Sequence, residues 1–345
     1  MTMLTRWLQG WPLWRARSDR RSAAVYVSTR SVAAAVAVRQ DDRYVLEMRA
    51  DSIAQLNDAS AVLREQSRSV GLGDAACNLV LGPELYTVTL LERPPVPDEE
   101  LKEAVRWRLQ DTLDCAPDQA AVDVFPLPES ASRERSMVFV VALNKDNLKR
   151  LVDRVLSAGI RVGSVDVSEL ALRNIACSLY PEPDCSVSLL RLTPASGVVN
   201  VSRGDELFLS RRISGIPEDL SAKAWEEFKD RLLLQVQRSI DYYESAMSQP
   251  PCSTLLVATT QGWQDQVCEH LDAMLPVPVR TLNQELGAHL DVHLHEGPRL
   301  TPVNWDAPSG EARDALSAGL PVIGGALRRL LEAGRESDPV VENAA

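Results

Sequence analysis

The chain has 345 residues, 45% of them hydrophobic and 25% charged, with a formal net charge of -11. This composition is typical of a globular protein with one large or two medium domains, whose core needs no disulfide or metal. The acidic balance argues against a nucleic-acid partner, because such proteins usually present a basic face.

The cysteine pattern and the absence of targeting signals predict a cytoplasmic protein. Six cysteines are scattered along the chain without a C-x-x-C pair, which is typical of reduced thiols in the cytosol. No apolar run reaches the roughly 18 residues that a membrane-spanning helix needs. The first residues also lack the charged leader and the small-residue cleavage site of a signal peptide.

A basic arm, residues 1–22, precedes the predicted domain. It contains five arginines and one aspartate, together with Trp7, Trp11 and Trp14. Tryptophan beside arginine suits a lipid headgroup interface, on which an amphipathic helix lies flat. The competing interpretations are a disordered tail or a strip that docks on its own domain, because a glycine and a proline interrupt the helical pattern.

The first half-domain is predicted over residues 23–92. Three β-rich runs lead into a helix from Ile53 to Val70, and the strands CNLVLG and YTVTLLE follow. The order β-β-β-α-β is the unit of a ribonuclease-H-like half-domain. Between helix and strand, GLGDAA formally matches a dinucleotide fingerprint, but its helix-then-strand context is the reverse of the one required, so it indicates a turn.

An α-β-β-α insert is predicted over residues 93–165. Pro97 and Asp98 begin a helix, the strands AAVDVFPL and SMVFVVAL follow, and KDNLKRLVDRVLSAG forms the second helix. The apolar face of the first helix contains four residues at helical spacing. These are Leu101, Val105, Leu109 and Leu113.

The second half is predicted over residues 166–333 and repeats the pattern of the first. Three β-rich runs precede a long helix from about Ala222 to Met247, and the strand STLLVAT and another helix follow. An apolar segment, AGLPVIGGALRRLLEAG, ends the half with a helix. Residues 334–345 are polar and are predicted to be disordered. The chain is therefore predicted to be an α/β protein with two similar halves and an insert between them.

No residue pattern predicts catalysis. The chain contains neither G-x-x-x-x-G-K-[ST] nor G-x-S-x-G. The segment HLDVHLH places His289, Asp291, His293 and His295 at a period of two, and these residue types suit zinc. Three histidines on one short extended segment rarely reach the same ion, however, so we expect a solvated strand face and no metal site.

Four stretches resemble the PilM/MshI family of type IV pilus biogenesis proteins. They are LERPPVPDEELKEAVRWRLQDTLDCAPDQAAVDVFPLP (91–128), VFVVALNKDNLKRLVDRVLSAGIRVGSVDVSELALRNI (138–175), LLLQVQRSIDYYES (232–245) and LPVIGGALR (320–328). Their order and spacing are similar to those of the family over about residues 23–332. The resemblance implies an actin-like fold, in which a subdomain is inserted after the first of two ribonuclease-H-like halves.

The resemblance also shows where this chain departs from actin-like ATPases. Those enzymes place an aspartate and a glycine after each of two strands to hold phosphate and metal, and a pair of glycines after a third strand to hold adenosine. The matching positions here are Tyr26 and Ser28, Arg191 and Thr193, and Thr259 and Thr260. Glycine admits a phosphate to the backbone and a carboxylate holds magnesium, and these residues do neither. We therefore expect no ATPase activity and no cofactor, with metal-free ATP binding through Arg191 as the remaining option.

The family resemblance implies a scaffold of the pilus assembly platform at the inner membrane. A groove beside the insert would bind the cytoplasmic tail of a bitopic membrane partner, and residues 93–128 and 136–158 are the candidate walls. Val105, Leu109 and Leu113 belong either to this groove or to the core. The alternatives are an active actin-like ATP-binding protein and the cytoplasmic module of a type II secretion platform.

Overall fold

The computed structural model describes most of the predicted domain. It covers residues 21–41, 43–132, 135–194, 196–217, 221–259, 263–296, 299–304 and 310–337. Trp7, Trp11 and Trp14 of the arm, and Thr260 of the third nucleotide-site motif, lie outside these residues.

Strands are numbered in chain order within the described residues. They are β1 (Arg21–Val27), β2 (Ser31–Gln40), β3 (Arg43–Ser52), β4 (Ala76–Leu81), β5 (Thr87–Glu92), β6 (Ala120–Pro126), β7 (Met137–Asn144), β8 (Arg161–Val167), β9 (Ser186–Leu192), β10 (Gly197–Arg203), β11 (Glu206–Ile213), β12 (Thr254–Thr259), β13 (Val279–Thr281), β14 (Leu290–Glu296) and β15 (Arg299–Pro302).

Helices alternate with these strands. They are α1 (Ala59–Ser69), α2 (Asp98–Arg108), α3 (Lys145–Ser157), α4 (Ser168–Leu179), α5 (Ala222–Asp241), α6 (Gln264–Met274), α7 (Leu282–His289) and α8 (Gly310–Ser337). A 3-10 turn, Pro83–Leu85, follows β4, and a π-helical turn, Tyr242–Ala246, extends α5.

Two sheets repeat the same topology and confirm the predicted duplicated α/β fold. The order β3-β2-β1-β4-β8 in the first sheet matches β11-β10-β9-β12-β13 in the second. In each sheet the first three strands are antiparallel, and the last two run parallel to the first. Such strands are covered on both faces, which explains continuous apolar runs such as SVAAAVAV in β2.

The insert differs from the predicted α-β-β-α unit of residues 93–165. Strand β5, predicted to belong to the first half, pairs with β7 in a separate three-stranded sheet of order β5-β7-β6. Strand β8 instead pairs with β4 in the first sheet, and α3 packs against α1. The insert is therefore β5, α2, β6 and β7. Period-two patterning predicts that a segment is a strand but not which strand it pairs with. The predicted insert boundaries at residues 92 and 165 were therefore wrong.

The second half is not continuous over residues 166–333 either. Strands β14 and β15 extend the first sheet beyond β3, and α8 packs against β1, β2 and α4. Helix α8 passes through Pro321 and continues to Ser337, beyond the predicted start of a disordered tail at residue 334. Proline normally breaks a helix interior. Burial of α8 between the two sheets outweighs that local cost.

Two smaller predictions also differ from the structure. Strand β1 begins at Arg21, inside the predicted arm. The helix predicted from Ile53 to Val70 is α1, which begins at Ala59, because residues 53–58 form a bend and a short 3-10 turn. GLGDAA forms the predicted turn, since Gly71 and Gly73 both adopt positive φ.

Candidate functional site

A cleft of about 270 Å³ lies between the turns that follow β1 and β9. Its walls include Tyr26, Ser28, Arg191 and Thr193, so the structure brings together four of the residues predicted to replace a nucleotide site. The reason is topological, because β1 and β9 are equivalent central strands of the two repeated sheets. Thr259 is buried at the end of β12 opposite Leu192 and does not line this cleft.

Tyr26 and Arg191 fill the inner end of the cleft. Tyr26 is 2% exposed and Arg191 is 5% exposed. Burial raises the pKa of the Tyr26 phenol, while the nearby Arg191 cation opposes that shift. One Arg191 nitrogen, Nη2, donates to the carbonyl of Ser317 on α8 at 2.9 Å. A cation and a phenol therefore lie at the two positions that the sequence resemblance matches to the acids of actin-like ATPases.

The turn after β1 already has acceptors for its backbone N–H groups. Ser28 Oγ accepts from the amides of Ser31 at 2.9 Å and Arg30 at 3.3 Å. The carboxylate of Glu84 accepts from the Thr29 amide at 2.6 Å. Because these donors point at the protein's own oxygen atoms, they are not available to a phosphate unless Ser28 or Glu84 moves.

The turn after β9 is closed in a similar way. The Thr193 amide donates to the Ser196 carbonyl at 2.8 Å, and the Ser196 amide donates to Thr193 Oγ1 at 3.1 Å. A side chain with a β-carbon occupies both predicted glycine positions, Ser28 and Thr193. Side-chain hydroxyls thus replace the open backbone that glycine would provide.

Glu84 was not identified from the sequence, although a signal for it exists. Strands β1 and β4 are parallel neighbours, with Val27 opposite Leu81, so the residues that follow both strands meet at one sheet edge. An acid directly after a buried strand is therefore a candidate for this edge. Gly82 leaves the space that Glu84 needs, since a β-carbon there would lie 2.7 Å from the Glu84 carboxylate.

A larger groove of about 540 Å³ lies on the other side of Glu84. Its walls come from the 3-10 turn Pro83–Leu85, the segment after α2 that contains Leu113, and parts of β7, α3 and β11. The predicted segments 93–128 and 136–158 contribute Leu113 and Leu151, among others. Val105 and Leu109, in contrast, are buried in the core of the insert.

The turn between the cleft and the groove is held by the second sheet. Arg212 of β11 donates to the carbonyls of Pro83 and Tyr86. The Tyr86 hydroxyl accepts from the Ser168 amide at 2.9 Å and donates to the buried Glu169 carboxylate of α4. Glu84 lines both cavities, so one short turn separates the cleft from the groove.

The pH dependence of stability should report the buried Glu169. Burial raises its pKa from the ordinary value of 4.5, and the Tyr86 hydrogen bond opposes this shift only in part. The native state therefore binds this proton more tightly than the unfolded state, so stability falls as pH rises from about 4.5 through the raised native pKa. Glu169→Gln keeps an acceptor for Tyr86 and removes the titration.

We expect the stability of Glu169→Gln relative to the wild type to increase across that pH range. Urea unfolding of both proteins at a series of pH values, from the ordinary carboxyl pKa of 4.5 upwards, measures the difference between their free energies of unfolding. A pH-independent difference between the two proteins would show that Glu169 is not the group responsible.

The histidine segment spans the end of α7 and strand β14. His293 and His295 lie on β14, and His295 Nε2 is 3.3 Å from a carboxylate oxygen of Glu47 on β3. Among the residues with described positions, no group of three or more histidine, cysteine or acidic side chains is arranged to hold a metal ion. None of the helices that the structure describes is both long enough and apolar enough to span a membrane.

Comparison with known proteins finds similarity at the level of the fold. No protein-family model and no curated protein matches the chain. It is similar to a chain of the PilM–PilN type IV pilus biogenesis complex, with a TM-score of 0.65 and 16% identity over 90% of this chain and 98% of that one.

Two weaker structural similarities involve other bacterial proteins. The cytoplasmic domain of EpsL, an inner membrane component of the type II secretion system of Vibrio cholerae, gives a TM-score of 0.45 and 14% identity over 92% of this chain and 96% of that one. A Bacteroides thetaiotaomicron protein with an actin-like ATPase fold gives 0.46 and 9%, over 78% and 93%. Together with the repeated topology, the stronger match shows that the chain has an actin-like α/β fold, shared with a chain of the PilM–PilN complex.

Proposed function

We propose that this chain is a scaffold of a type IV pilus assembly platform and binds the cytoplasmic tail of a bitopic, PilN-like inner-membrane protein. The observation that carries the proposal is the groove of about 540 Å³ beside the insert, in a chain that shares its fold with a chain of the PilM–PilN complex over 90% of its length. A preformed groove with apolar and hydrogen-bonding walls suits capture of a short peptide segment.

The same proposal assigns no ATPase activity to the cleft. Tyr26 and Arg191 replace the metal-binding acids, and Ser28 and Glu84 accept the hydrogen bonds of the turn after β1. Magnesium would meet a guanidinium in place of a carboxylate, and the polyphosphate would meet the carboxylate of Glu84. Both contacts oppose a magnesium–nucleotide complex.

The location and the pilus system complete the proposal. The protein acts at the cytoplasmic face of the inner membrane, and within the wider group it corresponds to MshI of the MSHA pilus.

The arm is proposed to contact the membrane surface through Trp7, Trp11 and Trp14, because tryptophan and arginine favour the headgroup region. Deletion of residues 1–20 should then reduce sedimentation with anionic vesicles and leave tail binding unchanged.

Calorimetric titration tests the scaffold proposal directly. We expect the full chain to bind a synthetic peptide of the partner's cytoplasmic N-terminus, and to give no heat signal with ATP and magnesium. Magnesium-dependent ATP binding at micromolar affinity would replace the scaffold by an active actin-like ATP-binding protein. A protein that binds neither ligand would contradict the tail-binding role, provided that its unfolding transition shows it to be folded.

A further inference from the structure

The groove contains two arginines of α3 whose side chains contact no acid among the described residues. Arg150 and Arg154 both line it and lie one helical turn apart, on the same face of α3. Arg150 donates to the side chain of Asn147, and Arg154 donates to Asn57 at 2.7 Å. Both acceptors are neutral amides. Within the described ranges, neither arginine has a carboxylate at ion-pair distance.

The neighbouring face of the same helix is different. Lys149, the residue next to Arg150, pairs with Asp153 at 2.6 Å. Helix α3 therefore neutralises its outward lysine from within its own sequence, whereas the groove arginines keep most of their donors for another molecule. A guanidinium has five N–H donors in a planar fork that matches the two oxygens of a carboxylate.

The groove is also positive relative to the rest of the protein. Its lining contains three arginines and two carboxylates, Glu84 and Asp114, in a chain with a net charge of -11. Glu84 accepts from the Thr29 amide, on the cleft side of its turn. The third arginine, Arg212, donates to the Pro83 and Tyr86 carbonyls. Asp114 is the remaining carboxylate of the lining, so three arginines and two acids leave a net charge of +1. Arg150 and Arg154 are the pair of adjacent cations that an occupant can meet.

We propose that the tail segment occupying the groove carries an aspartate or glutamate whose carboxylate docks on Arg150 and Arg154. This inference rests on the proposed function and specifies the chemistry of its partner. Apolar side chains of the segment contact Leu85 and Leu113, which are half-buried, while the acid fixes the register of the segment along α3. Charge complementarity of this kind contributes more to specificity than to total affinity.

The test uses the full chain and a defined set of peptides. The peptides reproduce the N-terminal cytoplasmic segments of the single-span inner-membrane proteins of the source organism. Each peptide that binds is remade with its acids changed singly to the amide and to lysine. The protein variants are the double variant Arg150→Glu/Arg154→Glu and the control Lys149→Glu. The control changes charge in the same direction on a neighbouring face of α3, at a residue that does not line the groove.

We expect the double variant to bind the tail peptide at least about tenfold more weakly than the wild type. Changing one peptide acid to its amide should weaken wild-type binding, and the same change should have little further effect on the double variant. Changing that acid to lysine should restore binding to the double variant. Lys149→Glu should remain within about twofold of the wild type, because exposed pairs contribute little.

Two failures can be told apart. If no peptide binds the folded wild-type protein, the proposed function fails, and the inference fails with it. If a peptide binds but its affinity is indifferent to the arginine variants, or if no peptide acid is coupled to them, only the inference is overturned. Loss of binding to anionic vesicles in the double variant, with peptide binding unchanged, would likewise overturn it in favour of a lipid headgroup.

Discussion

Gly324→Ala is expected to destabilise the protein by about 3 kcal/mol, at the upper end of the range for overpacked cores. Helix α8 crosses α4 so closely that a β-carbon on Gly324 would lie 1.8 Å from the backbone carbonyl oxygen of Ala171. A backbone atom cannot rotate away as a flexible side chain can. The two helices, which pack between the sheets, would have to separate, and the apolar contacts along their length would weaken.

The sign of the effect makes Gly324→Ala a sharp test. In a helix without tertiary contacts, glycine to alanine stabilises by about 1 kcal/mol, so helix propensity and close packing predict opposite results. Urea unfolding monitored by circular dichroism gives the free energy of unfolding. Adding Ala171→Gly should not rescue the variant, because the contacted atoms belong to the Ala171 backbone. A variant as stable as the wild type would contradict the contact between α8 and α4.

Arg328→Met is expected to cost about 3–5 kcal/mol, the range for removing one partner of a buried ion pair. Arg328 of α8 contacts Asp166 of β8 through Nη1 at 2.9 Å, and the Asp166 side chain is 1% exposed. Methionine fills much of the same space but leaves the carboxylate with weaker partners, such as the Asn78 amide at 3.3 Å. The cost comes from the uncompensated buried charge more than from the loss of the pair itself.

Two further variants separate these contributions. Glu332→Gln removes the other acidic contact of Arg328, at 3.1 Å. Because the Glu332 side chain is 50% exposed, we expect a loss below about 1 kcal/mol. Asp166→Asn combined with Arg328→Met should recover part of the loss, since neither position then carries a charge. Equal losses in Arg328→Met and Glu332→Gln would contradict the assignment of Asp166 as the critical partner.

Both predictions concern α8, whose place in the fold has a consequence for the two cavities. Helix α8 supplies Ser317 to the cleft and Arg328 to the buried pair with β8. It therefore ties the C-terminal part of the described chain to the first sheet. A variant that loosens α8 should perturb the cleft before it affects the groove, whose lining includes no residue of α8 among the positions described.

The cleft was predictable from sequence order, and its present chemistry was not. Tyr26 and Arg191 lie near the ends of the first strands of the two repeats. Ser28 and Thr193 follow those strands directly, so the approach of the four residues follows from the duplicated fold. Glu84 lies 55 residues after Thr29, whose amide donates to its carboxylate. Its hydrogen bond exists because β1 and β4 are parallel neighbours, a pairing that no local pattern records.

The groove was predictable only as a region. The segments 93–128 and 136–158 do contribute to its walls, but the predicted apolar stripe divides between two roles. Val105 of α2 and Leu109 at its C-terminal end are in the core of the insert, whereas Leu113, in the segment after the helix, lines the groove. Helical periodicity fixes which face of a helix is apolar. It does not distinguish a face covered by the same chain from one left for a partner.

The sequence by itself determined the α/β class, the repeated pattern of three strands in each half and the presence of an insert between the halves. These properties depend on local periodicity and on residue identity. The tertiary structure alone decided that β5 pairs within the insert, that β8, β14 and β15 join the first sheet, and that α8 remains helical through Pro321. The reason is that pairing partners and burial depend on residues far apart in the chain, and their combined packing outweighs local preference.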